Sequence, residues 1–367
     1  MYRGLELVAS PILAATFCVG AAFLSSAKPA LAAPAVVAPF TAIYTLGTFK
    51  GVPPSGATMP DDIVVSADGT DLWVGYGNGV STTGTDPSNL VEYDISTGMM
   101  LQNISIPGHL DGLKINPETG DPWATVNEDG NPRLNIVNPK DGKFKTFTVS
   151  SSLITGGMDD LVFVQGSKTA QAFIVASSQT DTTTPVIVAV SSKMKKNALN
   201  LTAFLPGAPP SVFNVVTNMT ETTDQLGDPD SMTLNPAGEI VLDNRSDDSL
   251  YIVRNPTAPH PVLRVPLTLE DSPVEVDDTI FTFSELTGEH STAGTIYITD
   301  TTGNMIYTLT KPYFPPNEVY SAANVANDVV LDDLNTGIVI PVVTGFAGVH
   351  GLAFSPTSVA IPPPSGK

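Results

Sequence analysis

Short apolar runs separated by polar turns cover most of the chain from about residue 35 onward. Within a run, apolar residues alternate with polar ones or fill four to five positions, and Gly, Pro, Asn and Asp stand between runs. No long window carries apolar residues at the 3.6-residue period of an amphipathic helix. The pattern therefore predicts a large number of short β-strands.

A unit of two strands recurs along the chain, and all but its last copy begin with an aspartate. A small or acidic residue follows, then apolar positions alternate before a turn and a second apolar strand. The copies begin as DDIVV at Asp61, DGLKI at Asp111, DDLVF at Asp159, DSMTL at Asp230, DDTIF at Asp277 and HGLAF at His350. Repeats of about 40 to 50 residues are typical of β-propellers, whose blades are four-stranded sheets.

The repeat predicts an all-β, six-bladed β-propeller over residues 35–362, with insertions around 192–228 and 282–294. The second strands are expected to begin near Trp73, Trp123, Phe173, Ile240, Ile296 and Val359. The segment 36–49 would supply outer strands that the last unit lacks, so that the N- and C-terminal strands pair and close the ring. A β-sandwich is the alternative fold, but it does not require six similar strand starts. Residues 363–367 are expected to form a flexible tail.

The first 32 residues have the parts of a secretory signal peptide. Arg3 precedes an apolar run, and the segment closes with small residues up to Ala32. The alternative is an uncleaved membrane anchor, which Pro11 within the run disfavours. We expect a secreted or periplasmic protein cleaved near Ala32, and the mature chain would then lack the single cysteine, Cys18. Glycosylation sequons begin at Asn103, Asn200, Asn218 and Asn244 and matter only in a host that glycosylates.

The chain is strongly acidic, with a formal net charge of −20. Removal of the first 32 residues would leave 15 basic and 36 acidic residues, a net charge of −21. Such a charge is repelled by nucleic acids and by anionic membrane surfaces. We therefore expect neither as a partner, and instead a monomer that binds a small molecule at the mouth of its central channel.

The first position of the repeat predicts a ring of acids at that mouth, because equivalent residues of successive blades lie at equivalent places around the channel. The ring would contain Asp61, Asp111, Asp159, Asp230, Asp277 and His350. Converging carboxylates take up protons, accept backbone hydrogen bonds or bind a cation, and oxygen ligands favour Ca²⁺ or Mg²⁺. The structural alternative is that each Asp side chain hydrogen-bonds to the backbone and ties one blade to the next.

The stretch PDSMTLNPAGEIVL, residues 229–242, resembles a segment of the senescence-marker-protein/gluconolactonase family and of related NHL-like propellers. The resemblance implies that Asp230 is a ligand of a divalent metal and also a proton-transfer group. Asp111 and Asp159 stand where that family tends to have Asn, and the family's N-terminal glutamate has no match here.

Two hypotheses for the function follow. In the first, an exported metal-dependent hydrolase of the lactonase or esterase type binds a divalent cation, Ca²⁺ in the first place, through Asp61, Asp111, Asp159 and Asp230. The cation polarises a carbonyl, and Asp230 or His350 assists the attack of water. In the second, a non-catalytic propeller binds a protein, a glycan or a small ligand through its blade-face loops.

Overall fold

The computed structural model describes residues 33–149, 152–165, 170–176, 184–191, 197–209, 211–222, 226–254, 261–282, 293–315 and 318–356. The predicted signal peptide, the strand expected near Val359 and the C-terminal tail lie outside these ranges. Within them, no helix has the length and apolar composition needed to cross a bilayer.

The described residues form 29 β-strands and two single-turn 3₁₀ helices. The first strands are β1 (Ala35–Val36), β2 (Thr45–Thr48), β3 (Pro60–Val65), β4 (Asp71–Tyr76), β5 (Pro87–Asp94), β6 (Met100–Pro107), β7 (Leu110–Ile115), β8 (Pro122–Val126), β9 (Arg133–Val137) and β10 (Phe144–Thr148). Next come β11 (Leu161–Gln165), β12 (Ala170–Val175), β13 (Pro185–Val190), β14 (Leu201–Pro206), β15 (Val212–Asn214), β16 (Met219–Glu221), β17 (Pro229–Leu234), β18 (Ile240–Asn244), β19 (Ser249–Val253) and β20 (Val262–Pro266). The last are β21 (Thr268–Leu269), β22 (Ser272–Pro273), β23 (Thr279–Phe281), β24 (Gly294–Asp300), β25 (Met305–Lys311), β26 (Val319–Ala323), β27 (Asp328–Asp333), β28 (Ile338–Thr344) and β29 (Val349–Pro356). The 3₁₀ helices are Phe40–Ala42 and Arg245–Asp247.

The strands pair into six sheets, and the predicted all-β propeller fold is confirmed. Three sheets contain four successive strands each, β3 to β6, β7 to β10 and β11 to β14. The fourth sheet contains β17 to β20 and is extended by β15 and β16. The fifth contains β23 and β26 to β28, extended by β1, β21 and β22. In all of these the strand that carries the repeated start lies at an edge of its sheet.

The sixth sheet, which we call the composite sheet, corrects the prediction of six similar blades. Its order is β2–β25–β24–β29, so it draws on three separate parts of the chain. The structure therefore has five blades built from strands that follow one another, with an excursion in the fifth, rather than six. The strand at Ile296 was assigned to the start at Asp277, but it pairs with β29 and so with the start at His350. Strands adjacent in sequence are usually but not always neighbours in space, and here the chain leaves the fifth sheet and returns to it.

Apolar side chains fill the spaces between neighbouring sheets. Trp123 packs edge-on against Phe163 of the third sheet, with ring centroids 5.1 Å apart, and Trp73 lies buried among residues of the second sheet. Both tryptophans are therefore buried packing residues. The composite sheet contacts the fifth sheet through Ile298 and contacts the first through Tyr297.

Candidate metal centre at the channel mouth

A β-bulge marks the repeated start in four of the six sheets. The strand register shifts between Pro60 and Ile63, between Leu110 and Leu113 and between Pro229 and Met232. In the composite sheet β29 carries the extra residue, opposite the step from Ile298 to Asp300 in β24. A bulge re-aims the side chains next to it. The sequence alone does not indicate this feature, because an inserted residue leaves the apolar alternation on either side intact.

Backbone groups, rather than the first Asp side chains, connect neighbouring sheets at these starts. The carbonyl oxygen of Asp159 accepts hydrogen bonds from Gly112 N, at 3.0 Å, and from the Thr125 hydroxyl. The carbonyl of Asp61 accepts one from the Thr299 hydroxyl at 2.7 Å. At Gly112 a Cβ atom would collide with the Asp159 carbonyl, so only glycine permits this approach. These contacts use main-chain oxygens and leave the carboxylates of the first position available for other partners.

One half of the ring carries its own cations. Arg245, in the 3₁₀ helix that follows β18, donates from Nη1 to Asp230 at 3.2 Å and from Nε to Glu275 at 2.7 Å. His350 Nδ1 lies 2.6 Å from an Asp277 oxygen and 3.4 Å from Asp61. We call Asp230, Arg245, Asp277 and His350 the paired half of the ring.

Burial and the charge of Asp277 act in opposite directions on His350. Burial lowers the pKa of the imidazole, but the adjacent carboxylates of Asp277 and Asp61 together outweigh it and raise the pKa to about 9. Burial likewise raises the pKa of Asp277, yet His350 and a hydrogen bond from Asp230 bring it down to about 2. The pKa of Asp230 is raised well above its ordinary value by burial and by the charge of Asp277. At neutral pH the imidazole of His350 is therefore protonated, and the raised pKa of Asp230 favours the form that donates a hydrogen bond to Asp277.

The other half of the ring gathers carboxylates around His109, and Asp61 within it also lies 3.4 Å from His350. Donor atoms of Asp111, Glu128 and Asp159 all lie within 4.8 Å of one another, and so do those of Asp61, His109 and Asp111. Asp111 belongs to both groups. We call Asp61, His109, Asp111, Glu128 and Asp159 the acidic half of the ring.

His109 is oriented so that Nε2 faces these acids. Its Nδ1 lies 3.0 Å from the Val80 carbonyl oxygen, which can only accept, so Nδ1 carries the hydrogen. The main chain of His109 is held by Asn127, whose backbone N and side-chain Oδ1 make hydrogen bonds of 2.9 Å each. Nε2 is 3.7 Å from Asp111 and 4.0 Å from Glu128. Metal-bound histidines are commonly held in this way, by a carbonyl on the ring nitrogen that does not bind the metal.

The acids of this half fit a cation because burial and mutual repulsion disfavour their charged forms. Burial raises the pKa of Asp111 well above its ordinary value, and Glu128 and Asp159 raise it further. The pKa of Asp159 is raised in the same direction, first by burial and then by Asp230. Asp159 is only 4% exposed, and its Oδ1 has no hydrogen-bond partner among the described residues. A bound cation would supply both the missing partner and the missing positive charge.

The sequence-predicted ligands are therefore divided between the two halves of the ring. Asp61, Asp111 and Asp159 lie in the acidic half, whereas Asp230 is paired with Arg245 and Asp277. Glu128 and Arg245 are not predicted from the repeat. Both directly follow an Asn at the end of a second strand, and that shared position is the only sequence signal that could have indicated them.

The pairing of His350 with Asp277 predicts a specific pH dependence of stability. The folded-state pKa of His350 lies above its ordinary 6.5, so its stabilisation is complete below pH 6.5 and is lost as the pH rises through about 9. The depressed pKa of Asp277 implies a second loss as the pH falls from 3.8 toward about 2. Compared with the parent, His350→Gln should be less stable at pH 6 by about 1–2 kcal/mol, a figure reduced for solvent screening at a side chain one third exposed. Urea unfolding at pH 6 and pH 9 checks this, and a difference that does not shrink at pH 9 would contradict the assignment.

No model of a known protein family matches this chain, and no curated protein does either. Among solved structures, the chain is similar to a streptogramin B lyase at 13% identity, with a TM-score of 0.47 and coverage of 86% of this chain and 95% of that one. A virginiamycin B lyase from Staphylococcus aureus matches at 10% identity with a TM-score of 0.43, covering 73% and 99% of the two chains. A protein of unknown function from Bacteroides caccae matches at 10% identity with a TM-score of 0.44, covering 81% and 86%. Likenesses at this level carry no functional argument.

Proposed function

We propose that the acidic half of the ring binds one divalent cation, Ca²⁺ in the first place. The observation that carries the proposal is the buried Oδ1 of Asp159, which has no hydrogen-bond partner in the described part of the chain and lies within a group of mutually close carboxylates. Asp111, Glu128 and Asp159 offer oxygen ligands alone, which suits Ca²⁺ or Mg²⁺. The group that includes His109 would also accommodate Mn²⁺ or Zn²⁺.

We further propose that the protein is a small-molecule hydrolase of the lactonase or esterase type. A divalent cation in such a site supplies Lewis acidity that polarises an ester or lactone carbonyl. The paired half of the ring lies beside it and holds two groups that carry protons, Asp230 and His350. Asp277 accepts hydrogen bonds from both and so orients them. Either can donate a proton to the departing alcohol, and its deprotonated form can then accept one from water.

We also propose that the ring of blades is closed and that the protein is exported. We infer that the composite sheet closes the ring of five blades. Supporting this, Thr299 and Thr301 of the composite sheet donate to carbonyls of Asp61 and Pro60 in β3. We also infer that the protein is exported, on the basis of the signal-peptide pattern of residues 1–32.

A comparison of activity and metal binding tests the catalytic part of the proposal. The parent should hydrolyse uncharged esters or lactones from a test panel in the presence of Ca²⁺ and lose this activity in a chelator. His350→Gln should lower kcat by about 100-fold, as is typical for loss of an acid–base group, while Ca²⁺ affinity stays within a few-fold of the parent. The control is Asp141→Asn, which changes an exposed acid in the turn between β9 and β10.

Two outcomes would oppose this reading. Equal rates for His350→Gln and the parent would remove His350 from the reaction. Tight Ca²⁺ binding with no turnover of any ester or lactone would instead support a non-catalytic binding propeller.

A further inference from the structure

A second group of charged residues lies in the channel next to the ring of first-position acids. The second position of the repeat alternates between acidic and small residues in successive sheets. The acidic ones are Asp62, Asp160 and Asp278, and the small ones are Gly112, Ser231 and Gly351. Three acids therefore come from every other repeat start, and the charges of Asp160 and Asp278 both act on Asp62. We call them, together with Lys114, the inner layer.

Lys114 is the cation of this layer. Its Nζ lies 2.8 Å from Asp160 Oδ2. It is also the positive group that acts most strongly on Asp62 and on Asp278. Lys114 stands three residues after the start of its repeat, where the other copies have Val64, Val162, Thr233, Ile280 and Ala353. This lysine is thus a departure from the repeat rather than a part of it.

Two of the acids also hold neighbouring sheets in place. Asp160 Oδ2 accepts from Met232 N at 2.9 Å, and Asp278 Oδ2 accepts from Leu352 N at 2.6 Å. The sequence suggested that the first Asp of each repeat would make such hydrogen bonds between blades. In the structure these hydrogen bonds come from the second position. They fix the carboxylates across the channel whatever cation lies between them.

Unused ligand oxygens remain in the layer. Asp160 is only 2% exposed, and its Oδ1 has no hydrogen-bond partner among the described residues. Oδ2 of Asp62 is likewise buried without one. Buried carboxylates that share a site need a positive charge near them, and an ammonium with three donors can supply it as a compact ion does.

We propose that the inner layer is a cation site whose resident occupant is the tethered ammonium of Lys114, and that it will take up an inorganic divalent cation when that ammonium is removed. Because Lys114 is part of the chain, the charge of the inner layer is neutralised without a bound metal ion. Lys114 also limits the parent to cation binding at the ring.

Calcium titration of Lys114→Met tests the proposal, with Lys143→Met as the control for loss of an exposed lysine. The expected result is one more bound Ca²⁺ per chain in Lys114→Met than in the parent, and Ca²⁺-dependent thermal stabilisation larger than in the parent. Addition of Asp160→Asn to Lys114→Met should remove the extra Ca²⁺.

The test compares the number of bound Ca²⁺ ions in Lys114→Met with that in the parent. Its outcome therefore does not depend on whether the ring itself binds a cation. Equal stoichiometry in the parent and Lys114→Met would overturn the proposal. Failure of Lys114→Met to fold in millimolar Ca²⁺ would overturn it as well, because a cation site predicts rescue. An extra Ca²⁺ that persists in the double variant would place the site elsewhere.

Discussion

Replacing Asp111 by Asn is expected to weaken Ca²⁺ binding by about 100-fold. Asp111 belongs to both groups of donor atoms in the acidic half of the ring, so its loss removes a charged ligand from either arrangement. Calorimetric titration of chelator-treated protein measures the effect. Asp141→Asn, the exposed counterpart, should leave the affinity unchanged.

The same variant should behave differently when no divalent cation is present. The pKa of Asp111 is raised, so its contribution to stability is present below its ordinary value of 3.8 and is lost as the pH rises above it. At neutral pH and in a chelator, Asp111→Asn should therefore be at least as stable as the parent, while its stabilisation by Ca²⁺ disappears. A variant that is destabilised in chelator and still stabilised by Ca²⁺ would show that Asp111 has a structural role instead.

Replacing Lys311 by Met is expected to lower the free energy of unfolding by about 3–5 kcal/mol, because it leaves an uncompensated charge in a buried site. Lys311 is 7% exposed, and its Nζ donates to Glu318 at 2.5 Å and to the hydroxyls of Tyr44 and Tyr320 at 3.1 and 3.2 Å. The ammonium also lies 4.7 Å from the centre of the Phe314 ring. It joins the segment before β2, the composite sheet and the fifth sheet.

A matched exposed pair provides the control for this variant. Lys143 and Asp141 are 2.6 Å apart, almost as close as Lys311 and Glu318, but the Lys143 side chain is 84% exposed. Solvent screens such a pair, so Lys143→Met should unfold in urea as the parent does. If both variants lose the same stability, burial is not the source of the effect at Lys311.

The propeller fold could be predicted from the sequence because the repeat is local. Four of the starts, such as Asp61 and Asp230, are followed after about ten residues by the strand that pairs with them, so spacing reveals the unit. The composite sheet could not be predicted in this way. Its strands β2, β24 and β29 are far apart in the chain, and the pattern of apolar residues carries no information on which distant strands pair.

Part of the candidate site follows from the sequence, but the division of the ring into two halves does not. The first column of the repeat identified Asp111 and Asp159, because equivalent residues of a propeller lie at the same level of the channel. It did not separate Asp230 from them, since that depends on Arg245, which lies in a turn outside the repeat. Glu128 was missed for the same reason. Side chains from loops reach the channel mouth through local backbone geometry, such as the left-handed φ of 73° at Asn127, which the apolar pattern does not encode.

The central claim is that the acidic half of the ring is a site for one divalent cation, and titration of the chelator-treated parent with Ca²⁺ tests it most directly. We predict saturable binding of one Ca²⁺ per chain and a rise in melting temperature that depends on its concentration. The result that would contradict the claim is an absence of binding and of thermal stabilisation with Ca²⁺, Mg²⁺, Mn²⁺ and Zn²⁺ alike.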